Sequence, residues 1–246
     1  MKPFNKDYIL DKIEEYNKKI SVNEVGNYKI SKNKVKSISE GYLYKKNEEY
    51  NINIPELLIN NESIMKIDPK EIQGTYQFIK YAEGTVGLVG LGLGYIAQEL
   101  AKKDSVKKII VYEISEEVIK LYNDNFNDNE KIEIRLGDAY KAKKEKFDFF
   151  FVDIYGYEFT KKVADDYKIF TCIHDIKEYC FWGLEHFLLS CRYEEIVWVY
   201  IPELWMEMSK NIFTAISNAG YLGEYYQLDG ALVSEVLSIF KDLLDD

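Results

Sequence analysis

The sequence predicts an α/β fold: a central, mostly parallel sheet flanked by helices, preceded by a small N-terminal helix and β region. Three observations carry this. An apolar run, Val86 to Val89, opens into glycines at alternate positions (Gly90, Gly92, Gly94) and passes into a helical pattern, as a buried strand, tight turn and helix N-terminus do. Strand and helix patterns then alternate strictly, which implies crossover connections and parallel strands. Acids also close three successive strands: Glu113, Asp138 and Asp153.

Residues 6 to 20 place Tyr8, Ile9, Ile13, Tyr16 and Ile20 at helical spacing among charges, an amphipathic packing helix. From Tyr28 to Ile67 the pattern changes to short alternating segments punctuated by Gly, Asn and Lys, read as a small antiparallel sheet. Asp68 and Pro69 form a helix start, N-cap then first turn, leading into a helix over 72–82. The expected division is therefore an N-terminal region, 1–68, and a main domain, 69–246.

Within the main domain the expected strands are 86–89, 108–112, 132–136 and 147–152. The expected helices are 96–103 and 115–125, the latter capped by Ser115. Phe147 to Val152 is apolar apart from Asp148, the composition of a central strand covered on both faces. Beyond Asp153 the pattern loosens. The expectation there is a loop to Tyr167, an apolar helix over 169–189 and a fifth strand over 195–201. A helix over 204–218, a strand near 221–227, the turn Asp229-Gly230, a short strand and a final helix would complete the chain.

The formal charge is −10, and Arg135 and Arg192 are the only arginines. A nucleic-acid binder needs a basic stripe, commonly with arginine forks, so DNA or RNA is not the expected substrate. No apolar run approaches a membrane span, and Met1 to Leu10 has charges in place of an apolar leader. The expectation is a cytoplasmic protein, with a homo-oligomer left open. Cys172, Cys180 and Cys191, with His174 and His186, have no metal-type spacing; no metal is expected, and the thiols read as buried and reduced.

The glycine turn marks a nucleotide site, since a helix N-terminus reached through residues lacking a Cβ lets a ligand approach free backbone N–H groups. A dinucleotide fingerprint would need its third glycine where Tyr95 stands, so the spacing disfavours NAD. In an open α/β sheet ligands lie at the carboxyl ends of the strands, where the three acids fall. Each acid alone could equally cap a helix or face water. Glu113, at a solvent-facing strand end, is expected to add little to stability.

Gly90-Leu-Gly-Leu-Gly94, Val111 to Ser115, Gly137-Asp138-Ala139 and Phe147 to Asp153 resemble the motifs of class I S-adenosylmethionine-dependent methyltransferases, most of all the spermidine synthase-like branch. The likeness covers about residues 72 to 153. It implies a Rossmann-like methyltransferase fold and S-adenosylmethionine, or its decarboxylated form, as cofactor. Gly90, Gly92 and Gly94 would line its methionine part, Glu113 would bind the ribose, and Asp138 and Ala139 the adenine. Asp153 would be the catalytic residue, facing a small-molecule substrate, an amine among the candidates.

Tyr155 and Tyr157 would form an aromatic rim for that substrate. Gln73 and Tyr76, with Glu71 and Gln77, lie on the helix that borders the substrate pocket in this branch; a plain helix surface is the alternative. Two departures stand out. Leu88 occupies the position where methyltransferases usually carry an acid, and Asp153 is followed by Ile-Tyr-Gly-Tyr-Glu, without the second aspartate and the proline of spermidine synthases. Methyl transfer to a small molecule or protein side chain is the leading reading. Aminopropyl transfer and a non-catalytic module are the alternatives.

Overall fold

The computed structural model describes residues 2–245. Helix α1 (Lys6–Lys19) starts at Asn5, whose side chain accepts from the Tyr8 N–H, and buries Ile9, Ile13 and Tyr16. The N-terminal sheet is antiparallel in the order β1 (Asn23–Val25), β2 (Tyr28–Glu40), β3 (Lys45–Ile59), β4 (Glu62–Lys66). Where short segments were expected, β2 and β3 form one long hairpin of 13 and 15 residues. Its polar positions interrupt the hydrophobic pattern without breaking the ladder, which instead absorbs register shifts near Val35 and Ile38.

The expected helix over 72–82 is two short helices, α2 (Pro69–Gly74) and α3 (Tyr76–Tyr81). Thr75 separates them: its hydroxyl donates to the Glu71 carbonyl at 2.7 Å, competing with the backbone ladder. Asp68 caps α2 as expected, accepting from the Glu71 N–H.

The second sheet contains β5 (Gly84–Val89), β6 (Val106–Glu113), β7 (Ile132–Leu136), β8 (Lys146–Val152) and β9 (Asp175–Phe181), in the order β7-β6-β5-β8-β9. All four pairings are parallel. This is the Rossmann-like fold: the order reverses at β5, between β6 on one side and β8 on the other. Helices α4 (Tyr95–Ala101) and α5 (Glu116–Asn123) connect β5, β6 and β7. Ser115 caps α5, accepting from the Val118 N–H. Strand β8 is covered on both faces, since Phe149 and Phe151 meet Phe78 of α3 while Phe150 meets Phe170 of α6 (Lys162–Ile173). Gly87 on the adjacent strand leaves room for Phe150, whose ring occupies the space of a Cβ there.

Beyond β8 the structure corrects several expectations. Helix α6 begins within the expected loop and ends at His174, and the fifth strand is β9, inside the stretch expected as one helix. Gly183, in the left-handed conformation, then starts α7 (Leu184–Ser190). The expected strand over 195–201 is instead the short α8 (Tyr193–Ile196) and irregular chain, leaving Trp198 and Tyr200 exposed. It has no place beside β9, because Trp205 of α9 (Glu203–Asn218) donates its indole N–H to the Tyr179 carbonyl at 2.6 Å.

Near residues 221–227 there is a single bridge, Tyr44 to Tyr225, and a 3-10 turn in place of a strand. Asp229, expected in a turn before a short strand, directly caps α10 (Gly230–Leu244). The hydrophobic core runs continuously through both sheets. Cys180 is buried but Cys172 is exposed, against the expectation of buried thiols. Among the described residues no helix is long and apolar enough to cross a membrane.

Candidate functional site

A cavity of about 340 Å³ lies at the carboxyl ends of β5, β6 and β8, at the reversal of strand order. Gly90 and Gly92 form one wall and Glu113 and Asp153 belong to the same lining, as do Glu71 of α2 and Tyr157. The N-terminal sheet closes the opposite side with Leu57, Ile64 and Met65. Strand ends, glycine turn and small sheet thus converge on one space.

The turn needs glycine for two separate reasons. Gly90 and Gly92 have φ of +98° and +51°, the left-handed region. Side chains would also collide there: a Cβ on Gly90 would lie 2.6 Å from the Asp153 carbonyl oxygen, and one on Gly92 would meet the Met65 sulfur. That sulfur accepts the Leu93 N–H at 3.1 Å, so a residue of β4 contacts the backbone of the turn. Gly94 has a different task. It faces the Tyr122 ring of α5, which occupies the space of a Cβ there, outside the cavity lining.

Glu113 is buried, contrary to the expectation of a solvent-facing carboxylate. Its Oε2 accepts from the Leu91 N–H at 3.0 Å and its Oε1 from the Ser115 N–H at 2.8 Å, joining the glycine turn to the start of α5. Each oxygen keeps a second lone pair, so the carboxylate can still accept from a ligand.

Asp153 retains some accessible surface on the cavity side, yet burial pushes its carboxyl up to about 7. Glu71 is fully buried, and its pKa is raised well above the carboxylate range, first by burial and then by the charge of Asp153. The Tyr157 hydroxyl accepts from the Lys66 N–H at 3.3 Å. It lies 3.1 Å from the Lys66 carbonyl oxygen and 3.0 Å from Glu71 Oε2, donating to one of them. Tyr157 itself has φ of +65°, uncommon for a bulky side chain, so the loop is bent to deliver this ring.

The other residues singled out in the sequence lie elsewhere. Asp138 sits beside the neighbouring strand end in an open cleft, accepting from the Tyr140 N–H and paired with Lys141, and Ala139 is buried beneath it. Tyr155 points away and donates to Asp166 of α6. Gln73 is buried, accepting from the Tyr42 N–H and donating to the Tyr44 hydroxyl. Tyr76 packs edge-on against Tyr8 of α1. These three hold elements together rather than line the cavity. His174 and His186 pack against aromatic rings, and among the described residues no three His, Cys, Asp or Glu converge on a metal-sized site.

Sequence reasoning missed Met65, and it left Glu71 between pocket border and helix surface. Glu71 carried a signal: it stands three residues after the Asp68 N-cap, where a carboxylate can reach back in a capping box. Its side chain turns into the cavity instead.

No protein-family profile and no curated protein matches the chain. Among solved structures, spermidine synthase from Thermotoga maritima is similar at 16% identity, covering 81% of this chain and 63% of that one, with a TM-score of 0.41. Trm5b from Pyrococcus abyssi matches at 16% identity over 76% of this chain and 54% of its own, TM-score 0.38. The 23S rRNA methyltransferase ErmE matches at 19% identity over 44% and 43%, TM-score 0.35. The chain therefore spans less than two thirds of the length of each. At these values the likeness carries neither activity nor substrate across, and the fold assignment stands on strand order.

Proposed function

We propose that this chain is a transferase that binds S-adenosylmethionine, or its decarboxylated form, and moves a group from its sulfonium to a small molecule. The observation that carries this reading is the meeting of the glycine turn, Glu113 and Asp153 around one cavity at the strand-order reversal. The residues fit such a ligand: the turn leaves no room for a Cβ, and Glu113 has acceptor capacity left for ribose hydroxyls. On this reading Asp138, on the adjoining strand end, and the Ala139 backbone serve the adenine, and 69–246 is the ligand-binding unit with 1–68 as its cover.

The bound cofactor supplies an electrophilic carbon next to a sulfonium, so little covalent help is needed from the protein. Alignment of acceptor and donor is the larger task, and the apolar residues of the N-terminal sheet exclude water while it is met. Asp153, with its carboxyl near 7, can hold or release a proton at neutral pH, orienting the acceptor as it does so. The net charge of −10 favours a small acceptor over nucleic acid.

Calorimetry with S-adenosylmethionine and decarboxylated S-adenosylmethionine, paired with methyl and aminopropyl transfer assays, tests the reading. Binding of either should be lost in a Gly92→Val variant that still folds. Asp153→Asn should leave the affinity for an uncharged adenosyl thioether unchanged and lower turnover with the cofactor. A parent that binds neither compound would leave the non-catalytic module as the better account.

A further inference from the structure

We propose that Glu71 is the anchor for a primary ammonium group of the bound ligand, held jointly with Asp153. The inference rests on the adenosyl-ligand reading above and assigns its charged end. Among the described residues, three carboxyl side chains line the cavity, Glu71, Glu113 and Asp153, and no Lys, Arg or His lines it. Glu113 is already served by two backbone N–H groups, whereas among the described residues Glu71 has within reach only the Tyr157 hydroxyl, whose proton it shares with the Lys66 carbonyl. Its other oxygen, Oε1, is buried and has no hydrogen-bond partner among the described residues.

A buried acceptor without a donor is costly, and a second acid beside it raises that cost. The arrangement is relieved by a ligand that brings both positive charge and N–H donors to the pair. A metal ion would need further protein ligands, and among the described residues no third one converges on the pair. A primary ammonium needs none: it offers three N–H donors and one charge. Leu88, buried one residue before the end of β5, has no acid to offer at the mouth of the turn. The carboxylate comes from α2 instead, a helix outside the strand-end set.

The experiment compares adenosyl thioethers with a positive, a negative and no charged chain end. 5′-Deoxy-5′-(3-aminopropylthio)adenosine carries the ammonium alone, 5′-deoxy-5′-(3-carboxypropylthio)adenosine the carboxylate alone, and 5′-deoxy-5′-methylthioadenosine neither. The parent should bind the aminopropyl compound at least about tenfold more tightly than the carboxypropyl one by calorimetry. Glu71→Gln should remove that preference while holding methylthioadenosine affinity within about threefold. If the parent binds the two charged analogues equally, or if Glu71→Gln weakens all three alike, the anchor is refuted while the adenosyl reading stands. If the parent binds none of the three, both fall. Where the variant does not fold, equal binding of the two charged analogues by the parent still refutes the anchor.

Discussion

Replacing Glu113 by alanine separates a carboxylate that merely faces a ligand from one that is part of the frame. The side chain is buried and accepts two N–H groups, from Leu91 in the glycine turn and Ser115 before α5, at 3.0 and 2.8 Å. Hydrogen bonds to a charged group contribute roughly 1.5–3 kcal/mol each, so about 3–6 kcal/mol bounds the pair. Water entering the cavity that Glu113 lines can rescue part of this, which brings the expected loss to about 2–4 kcal/mol. Glu113→Gln keeps one acceptor and points an amide donor at the other N–H, so it should fall between parent and alanine. Urea unfolding reads this as a lowered midpoint at unchanged slope. An alanine variant within about 0.5 kcal/mol of the parent would refute the frame role, for which surface-like behaviour is the alternative. Adenosyl affinity should fall with it, because the turn and the α5 start both lose their tie.

Two further predictions concern groups away from the cavity. Glu185 is buried, accepts from the Tyr42 hydroxyl at 2.7 Å, and has its carboxyl pushed up to about 7 by burial. The folded state then keeps a proton that the unfolded chain releases above about 4.3, so this group's stabilising effect is lost as pH rises from there to about 7. Glu185→Gln should therefore gain stability relative to the parent at about pH 8 compared with about pH 5, and an equal melting-temperature difference at both would contradict this. Tyr155→Phe should cost about 1 kcal/mol by removing a donor from Asp166. It should leave adenosyl and substrate affinity unchanged, and a loss beyond about threefold would restore Tyr155 to the binding surface.

What was legible in the sequence is what a short stretch encodes by itself. The glycine turn, the acids at strand ends and the caps at Asp68 and Ser115 depend on neighbours within a few residues, and each lies where the pattern put it. Asp175 to Phe181 was illegible because a short stretch of mixed charged and apolar residues between two helices fits the helical period as well as the strand period. The stretch 195–201 misled for the opposite reason. Its β-like composition is real, but the position next to β9 is taken by a tryptophan from a later helix. Glu71 and Met65 enter the site only through the packing of α2 and β4 on the turn, a relation between distant segments that no local pattern carries.

The indole of Trp205 on the Tyr179 carbonyl has a consequence beyond the course of one segment. A terminal strand with free backbone groups is a template for recruiting another chain, and proteins commonly defend it with charge, proline or a bulge. Here an aromatic side chain acts as a stopper. It occupies an acceptor on β9 and stands with Tyr167, Phe181 and Phe240 in a rigid aromatic wall. Backbone pairing at that point of the sheet is closed to a second molecule. A second chain meeting the sheet there would find an aromatic ring in place of a free carbonyl.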